Sequence, residues 1–286
     1  MRISSEEFIH YRPLLFSLGY RMVGTISDTE DLIQETYMKI YEVDITKVEN
    51  KKAYLCKTMT NLCLDFLKSA RYRREEYIGE WNPEPLIINQ TTDNDPSDIV
   101  IQKEGLSIAY LRMMENLKPN ERAVIILREV FEFSYQEIAE VIEMTKSNSR
   151  KIYSRAKQKL NKVEHESLNY EQNKGVVNRF IHSVQFQNKE DVLKLISDQV
   201  TLYSDGGGKV QSATRPVSTS PKVLAFFSGL SEKIPDDYYY EIQNVNGQPA
   251  VLNFLEGHLQ SIISFYIVEG EIKEIYITLN PEKLPK

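Results

Sequence analysis

The segment Leu117–Leu160 constrains the fold most, because it has the signals of two helices joined by a tight turn. Ser134 and Glu137 have the spacing of a capping box, in which the serine caps a helix and the glutamate reaches back to it. Thr145 is a favoured residue for starting the second helix. On that helix apolar side chains recur along one side, and basic and polar side chains lie opposite. The pattern predicts a helix-turn-helix.

The basic side of the second helix indicates what the helix pair binds. Such a helix fits the major groove of duplex DNA, where side chains can read base edges. Lysine and arginine donate to guanine and phosphate, and an asparagine amide pairs with adenine. The candidate DNA-contacting residues are Lys146, Ser147, Asn148, Arg150, Lys151 and Arg155. A solvated basic helix within a bundle is the alternative interpretation of the same pattern.

Length and charge narrow the class of protein. A chain of 286 residues is long enough for two or three domains. Its net charge of −6 fits poorly with a protein that binds DNA alone, because phosphate contacts need a basic surface. It fits better with one that reaches DNA while docked on a larger assembly. The sequence has no apolar run of membrane-spanning length and no signal-peptide core at its start, so a cytoplasmic protein without a membrane partner is expected.

Neither the cysteines nor the histidines predict a metal site or a cofactor. Cys56 and Cys63 lie seven residues apart on a predicted helix, which separates them by about 10 Å along its axis. That distance is too long for a disulfide, so buried free thiols are expected. The histidines are scattered and form no metal-ligand spacing with cysteines or acids.

The composition and the residue pattern change along the chain, which predicts a multidomain fold. Residues 1–78 have helical patterns, residues 79–96 form a linker rich in proline and asparagine, and residues 97–166 are helical again, from a helix starting at Asp98. Residues 170–286 predict an α+β domain with a helix over Tyr170–Ile196 and an antiparallel sheet. The candidate strands are Val200–Tyr203, Lys209–Ala213, Tyr239–Val245, Val251–Leu255, Gln260–Val268 and Ile272–Leu279, with a hairpin turn between the last two.

Two motif sets, in the right order, resemble the extracytoplasmic-function (ECF) group of bacterial RNA polymerase sigma factors. The region 2 motif DxEDLxQExF is matched by Asp28, Glu30, Asp31, Leu32, Gln34, Glu35 and Tyr37. The region 4 motif LxPxERxxxxLR is matched by Leu117, Pro119, Glu121, Arg122, Leu127 and Arg128. A later SRARxxL motif is matched by Ser154, Arg155, Ala156 and Leu160, with Lys157 in place of its second arginine. This similarity covers Phe8–Leu160.

The remainder resembles one ECF subgroup, whose members carry a SnoaL-like C-terminal extension. Its motifs WLPEP, DGGGK and NPDKL are matched by Trp81, Pro83, Glu84 and Pro85; by Asp205, Gly206, Gly207, Gly208 and Lys209; and by Asn280, Pro281, Lys283 and Leu284. The resemblance implies two all-α sigma domains followed by an α+β cone with a curved antiparallel sheet. Because such cones often enclose an apolar pocket, it also allows an unidentified small ligand there. Asn82 replaces the leucine of the first motif, which we expect to weaken linker docking.

The resemblance also implies that regions 2 and 4 have different binding partners. Region 2 would bind the β′ clamp of core RNA polymerase through Asp28, Asp31, Leu32, Gln34 and Glu35. It would hold the −10 strand through Lys57, Asn61, Lys68, Arg71, Arg73 and Arg74. Region 4 would contact the polymerase β flap and place the second helix of the predicted pair at the −35 element of promoter DNA. The polymerase would perform the chemistry, so the chain itself is not expected to be an enzyme.

The extension is expected to regulate the other two domains. We expect the loop Asp205–Lys209 to pack against the linker and the two DNA-binding regions, with Lys209 paired to Glu84. The sigma domains would then be held in a geometry that cannot span the polymerase. A tight hairpin with an exposed lysine is the alternative interpretation of this loop.

Two other functional classes compete with this interpretation. A one-component transcription regulator would join a helix-turn-helix to a ligand-binding domain and act as a symmetric dimer. A SnoaL-like enzyme fused to a helical module would use Asp205, His182 or His258 for acid–base chemistry. No spaced pair of carboxylates and no base beside a nucleophile supports the enzyme.

Overall fold

The computed structural model describes residues 3–44, 48–75, 77–88, 106–160, 169–231 and 234–285, with side chains left out for residues 70–75. The chain divides into two compact units. The helical unit comprises Met1–Glu75, Thr92–Glu104 and Leu111–Val163. The C-terminal unit comprises Glu76–Thr91, Gly105–Tyr110 and Glu164–Lys286, so it includes most of the predicted linker.

The helical unit begins with three helices, α1 (Ser5–Val23), α2 (Ile26–Tyr41) and α3 (Lys51–Glu75). Ser4 caps α1 by accepting a hydrogen bond from the Glu7 amide at 3.1 Å, and Gly24 ends it in the left-handed region. Cys56 and Cys63 are both free and buried on α3, as expected. Burial raises the pKa of the Cys56 thiol to about 12, so the thiol is unreactive at neutral pH.

The second part of this unit contains the predicted helix-turn-helix. It comprises α4 (Ile108–Glu115) from Leu111 onward, α5 (Pro119–Ile125), a π-helical continuation (Ile126–Val130), α6 (Tyr135–Val141) and α7 (Lys146–Leu160). The capping box is present: the Glu137 amide donates to Ser134 Oγ at 3.2 Å, and the Ser134 amide donates to Glu137 Oε2 at 2.7 Å. Thr145 Oγ1 accepts from the Asn148 amide at 3.2 Å. The helix predicted to start at Asp98 lies outside the described residues.

The C-terminal unit packs helices against one open six-stranded sheet. Its helices are α8 (Tyr170–Gln185), α9 (Lys189–Leu195) and α10 (Ser220–Ser231). Its strands are β1 (Ile196–Asp205), β2 (Val217–Ser218), β3 (Tyr238–Val245), β4 (Gln248–Leu255), β5 (His258–Val268) and β6 (Glu271–Thr278). The sheet order is β2-β1-β6-β5-β4-β3.

The predicted α+β domain is present, but its sheet is mixed and not antiparallel throughout. β1 and β6 are parallel and the other neighbouring strands are antiparallel. The chain reverses direction three times from β3 to β6, and β6 then pairs with β1 in parallel. The predicted hairpin between β5 and β6 is present, and its two turn residues have positive φ (Glu269 52° and Gly270 82°).

Other predicted elements also differ from the structure. The predicted strand Lys209–Ala213 is a turn and loop, whereas β2 and α10 were not predicted. The predicted helix Tyr170–Ile196 is two helices, because the chain breaks at Gln187, whose φ is 53°. Ile196 already belongs to β1.

The sheet has an apolar cluster on each side. Between the sheet and the helices, Phe180 makes edge contacts with Phe227 and Phe265, at ring distances of 5.2 and 5.7 Å. A depression with a cavity volume of about 10 Å³ lies next to this core and is lined by Val184, Val192 and other residues of α8–α10. This is roughly the space of one water molecule and far below the roughly 300–1,000 Å³ of typical ligand pockets, so a small ligand in the cone stays a prediction. No described helix is long and apolar enough to span a membrane.

Candidate nucleic-acid interface and linker cluster

The predicted DNA-contacting residues share one exposed face of α7. The side chains of all six predicted −35 contacts are exposed, namely Lys146, Ser147, Asn148, Arg150, Lys151 and Arg155. Ser149 and Ala156 are buried on the opposite face. Ser149 Oγ donates to the Tyr135 carbonyl at 3.1 Å, which fastens α7 to the start of α6. The helix can therefore present its basic face while its other face is fixed to the unit.

Glu129 makes a second contact with α7, from the segment before the helix-turn-helix. Its carboxylate accepts hydrogen bonds from the Tyr153 hydroxyl and, at 2.9 Å, from Lys157 Nζ. The hydrogen bond from Tyr153, followed by that from Lys157, holds the pKa of Glu129 below its usual value. These contacts fix the rotation of α7 about its own axis.

The predicted polymerase-binding face on α2 is only partly exposed. Asp31, Gln34 and Glu35 are exposed, whereas Leu32 is 6% exposed and packs in the core. Asp28 is half-buried and accepts a hydrogen bond from Thr25 Oγ1 at 2.5 Å, so it also stabilises the start of α2. The structure therefore places the Leu32 side chain away from a binding surface.

The predicted −10 residues on α3 are not all free for DNA. Lys57 Nζ lies 3.6 Å from the carboxylate of Glu143 in the turn of the helix-turn-helix, and Lys68 pairs with Asp65 at 2.8 Å. Asn61 is half-buried. The side chains of Arg71, Arg73 and Arg74 lie outside the described part of the structure. In this conformation Lys57 therefore contacts the predicted region 4 of the same chain.

A buried arginine joins the two halves of the helical unit. The Arg122 side chain is 4% exposed, and its Nη1 donates to the Met22 carbonyl of α1 and, at 2.8 Å, to Glu115 Oε1. Lys52 of α3 lies 5.8 Å from the centre of the Phe133 ring. The predicted region 2 and region 4 thus pack together within one unit. Nothing in the sequence signalled that this motif arginine would contact α1.

The predicted regulatory residues meet around one buried carboxylate in the C-terminal unit. Asp205 is fully buried and accepts from the Tyr77 hydroxyl at 2.5 Å, the Asn82 amide at 2.9 Å and the Gly207 amide at 3.1 Å. Lys283 Nζ pairs with the same carboxylate at 2.7 Å. The Asp205 carboxylate therefore contacts the linker, its own loop and the C-terminal tail.

Lys283 is held as tightly as the acid. Its side chain is 8% exposed, and its Nζ also donates to the Asn82 carbonyl at 2.6 Å. The ammonium lies 4.2 Å from the centre of the Trp81 ring and 5.2 Å from that of Tyr77, within cation–π range of both. Burial, and then the hydrogen bond to Asp205, raise the pKa of the Tyr77 hydroxyl well above its usual value, so it stays protonated.

Three details of this linker cluster differ from the sequence expectations. Lys209 pairs with Glu282 rather than with Glu84, and the lysine that reaches the linker is Lys283. Asn82, which was expected to weaken docking, is fully buried, and its Nδ2 donates to the Ile277 carbonyl at 3.1 Å. Tyr77 was not predicted, since it precedes the motif and carries no pattern of its own.

The rest of the linker extends the edge of the sheet. The Ile88 amide donates to the Asn244 carbonyl at 2.9 Å, and Leu86 exchanges hydrogen bonds with Asn246 at 2.8 and 2.9 Å. Ile87 and Leu284 pack on the apolar cluster of the outer sheet face. Pro83 and Pro85 are buried, and Glu84 is half-buried. The linker is therefore bound along its described length rather than at one point.

The glycines of the DGGGK motif are required for close approach. A Cβ on Gly206 would lie 2.3 Å from the Val210 carbonyl oxygen, because the chain turns back on itself there. Gly207 has a φ of +60°, and a Cβ on it would lie 2.4 Å from Nδ2 of Asn280. Asn280 in turn donates to the Tyr77 hydroxyl at 3.0 Å, which connects the tail with the linker. Pro281, the next residue, is exposed.

No cluster of metal-ligating side chains occurs among the residues that the structure describes. The His182 ring packs on Phe186 at 4.4 Å, and His258 is exposed at the start of β5. Asp205 is engaged by four donors of the protein itself. The geometry of this unit is thus that of a docking site for its own linker and tail.

Comparison with known proteins confirms the family resemblance. The family profile described as "Sigma-70 region 2" matches residues 8–73, and that described as "Sigma-70, region 4" matches residues 107–160. Two curated relatives from Mycobacterium tuberculosis match nearly the whole chain. "ECF RNA polymerase sigma factor SigJ" of strain H37Rv is 28% identical over 290 residues, 97% of this chain and 92% of that protein. "Probable ECF RNA polymerase sigma factor SigI" of strain CDC 1551 is 30% identical over 279 residues, 96% of this chain and 92% of that protein.

The fold agrees with a solved relative over its full length. The crystal structure of the M. tuberculosis ECF sigma factor SigJ matches with a TM-score of 0.79 and 25% identity, covering 98% of both chains. The two helical sigma regions and the α+β extension are therefore found together in a protein of known structure. The chain belongs to the ECF RNA polymerase sigma factors that carry a C-terminal extension.

Proposed function

We propose that this sigma factor directs core RNA polymerase to promoters with specific −35 and −10 elements and is restrained by its own C-terminal unit. In this proposal α2 binds the β′ clamp in the cytoplasm through Asp31, Gln34 and Glu35. Region 4 contacts the β flap, and α7 lies in the −35 major groove. The net charge of −6 agrees with a protein that relies on the polymerase for much of its nonspecific DNA affinity.

The observation that carries the restraint is the buried ion pair between Lys283 and Asp205. The captured linker residues Tyr77, Trp81 and Asn82 lie in sequence between the matches to region 2 and region 4. A linker bound to the C-terminal unit leaves less free chain for the two regions to move apart. Release of the tail exposes an unpaired carboxylate and frees the linker, so the same contacts can act as a switch.

Contacts inside the helical unit support the same proposal. Lys57, a predicted −10 contact, is paired with Glu143 of the helix-turn-helix, and Arg122 is buried against α1. DNA binding by both regions requires Lys57 to exchange Glu143 for a phosphate. The conformation described above is therefore proposed to be the restrained form.

Run-off transcription with purified core polymerase and fragments of genomic DNA tests the proposal. We expect the full chain to direct initiation at a small set of sites, and we expect Arg150→Ala to lose those sites while polymerase binding is kept. Deleting residues 168–286 is expected to change output from the same promoters. Unchanged output would end the restraint proposal, and no promoter-dependent transcript with any form of the chain would end the sigma-factor mechanism.

The one-component regulator predicts a different result in a matched assay. It acts as a symmetric dimer on a palindromic site and needs no polymerase core for specific DNA binding. A footprint on DNA by the chain alone, symmetric about its centre, would support that alternative. Asymmetric protection that requires the polymerase supports the proposal made here.

A further inference from the structure

Tyr135 lies at the start of the helix-turn-helix and does not belong to its predicted DNA contacts. It is the first residue of α6, and its carbonyl accepts the hydrogen bond from Ser149 Oγ of α7 at 3.1 Å. Its ring makes an edge contact with the Tyr153 ring, with centroids 5.7 Å apart and planes at 72°. The backbone and the ring of Tyr135 are thus both tied to α7.

Two guanidinium groups lie close to the Tyr135 ring. Arg128 lies 5.0 Å and Arg150 lies 5.4 Å from its centre. Arg128 is itself fixed, because its Nη1 donates to the Phe133 carbonyl at 2.8 Å. Arg128, in the segment before α6, therefore holds the Tyr135 ring in place. The ring in turn offers a fixed support for Arg150.

Arg150 differs from the other basic residues on the exposed face of α7. The side chains of Lys146, Lys151 and Arg155 make no hydrogen bond, ion pair or ring contact with any residue that the structure describes. Arg150 contacts the Tyr135 ring, and none of its described contacts uses the guanidinium N–H groups. Stacking leaves the donors of a guanidinium free for a bidentate contact.

We propose that Tyr135 is a positioning residue for base reading, whose ring holds the Arg150 guanidinium in the orientation that contacts a −35 base pair. This inference rests on the function proposed above. An exposed arginine loses rotamer freedom when it binds a base edge, and a side chain already stacked in place loses less. A cation–π contact at an exposed site corresponds to roughly 2- to 5-fold in an equilibrium constant.

The experiment measures base preference with the full chain and core polymerase. Run-off transcription from a template library randomised across the −35 element, followed by sequencing of the transcripts, gives the preference at each position. The chains compared are wild type, Tyr135→Phe, Tyr135→Leu, Arg150→Ala and the double variant Tyr135→Leu/Arg150→Ala. Tyr135→Phe is the matched control, because it keeps the ring and removes the hydroxyl.

The expected result is selective. Arg150→Ala flattens the preference at one or two positions, Tyr135→Leu flattens the same positions by roughly 2- to 5-fold, and Tyr135→Phe matches the wild type. The double variant shows no further loss beyond Arg150→Ala, because the two residues act as one unit. Since no phosphate contact is removed, the salt dependence of promoter binding is the same for Tyr135→Leu and wild type.

Three results would overturn the inference. Preference unchanged in Tyr135→Leu would show that the ring does not orient Arg150. A uniform loss over all sequences with a lower salt slope would show that Tyr135 contacts phosphate itself. If Tyr135→Leu does not fold, judged by its thermal unfolding, Arg150→Lys replaces it. That variant keeps the charge but stacks less well, and full preference in it would contradict the inference. A wild-type chain without any −35 preference would instead refute the proposed function.

Discussion

Replacing Lys283 with methionine is predicted to destabilise the C-terminal unit and release the linker. The substitution keeps most of the side-chain length but removes the charge that pairs with Asp205. Asp205 is fully buried, and three donors remain to it from Tyr77, Asn82 and Gly207. A buried carboxylate without its counter-charge is costly, so the loss exceeds that of a hydrogen bond alone.

The magnitude follows from the burial of both partners. Removing one partner of a buried ion pair costs about 3–5 kcal/mol, and here the side chains of Lys283 and Asp205 are 8% and 0% exposed. If the free energy of unfolding falls by about 2 kcal/mol per M urea, the urea concentration at the unfolding midpoint should fall by about 1.5–2.5 M. The double variant Asp205→Asn/Lys283→Met should recover part of this loss, because it no longer buries an unpaired charge.

The chain provides its own probe for this measurement. Trp81 is the single tryptophan of the sequence, and its ring lies 4.2 Å from Lys283 Nζ. Tryptophan fluorescence during urea unfolding therefore reports on linker capture and on the C-terminal unit. The helical unit is followed separately by circular dichroism, since two compact units need not unfold in one step.

Lys209→Met is the matched control, because Lys209 also forms an ion pair near this loop but is 47% exposed. Exposed ion pairs contribute about 0–1 kcal/mol to stability, so the urea midpoint of Lys209→Met should stay near that of the wild type. Equal midpoints for Lys283→Met and wild type would refute the reasoning, since the buried pair would then not stabilise the captured linker.

Three further predictions follow from other contacts. Gly207→Ala should destabilise the C-terminal unit by about 1–3 kcal/mol, because the φ of Gly207 is +60° and a Cβ there would meet Asn280. Gly229→Ala is the control and should not destabilise the unit, because a Cβ on Gly229 would have nothing within 4 Å. Equal urea midpoints for Gly207→Ala and Gly229→Ala would contradict this prediction. Arg122→Leu should destabilise the helical unit by about 1–3 kcal/mol in urea unfolding followed by circular dichroism, because the Met22 carbonyl and the partly buried Glu115 carboxylate lose a donor; a change below about 0.5 kcal/mol would count against it. Cys56 and Cys63 should react with a thiol reagent only after unfolding, because both are buried and burial raises the pKa of both thiols; rapid labelling of the native chain would be the contrary result.

The helix-turn-helix was predictable because its signals are local. The capping box at Ser134 and Glu137 and the cap at Thr145 are short-range contacts, and they occur where the sequence placed them. The exposed face of α7 follows from helical periodicity alone. Membership of the family was likewise predictable from motif order.

Long-range contacts were not predictable in the same way. We expected Lys209 to pair with Glu84 of the linker, yet the lysine that reaches the linker is Lys283, which pairs with Asp205, 78 residues away. The parallel pairing of β1 with β6 and the contact of Arg122 with α1 also depend on tertiary packing. Residues 209–213 were predicted as a strand, but the structure has a turn and a loop there.

Titration of core RNA polymerase with fluorescently labelled full-length chain tests the central claim most directly. The account predicts that the wild type associates with the core enzyme and that Lys283→Met associates more tightly, because its linker is released. Arg150→Ala should bind like the wild type, since Arg150 is a proposed DNA contact and not a proposed polymerase contact. Absence of any association with the core enzyme would contradict the account, and equal affinities of wild type and Lys283→Met would contradict the proposed restraint.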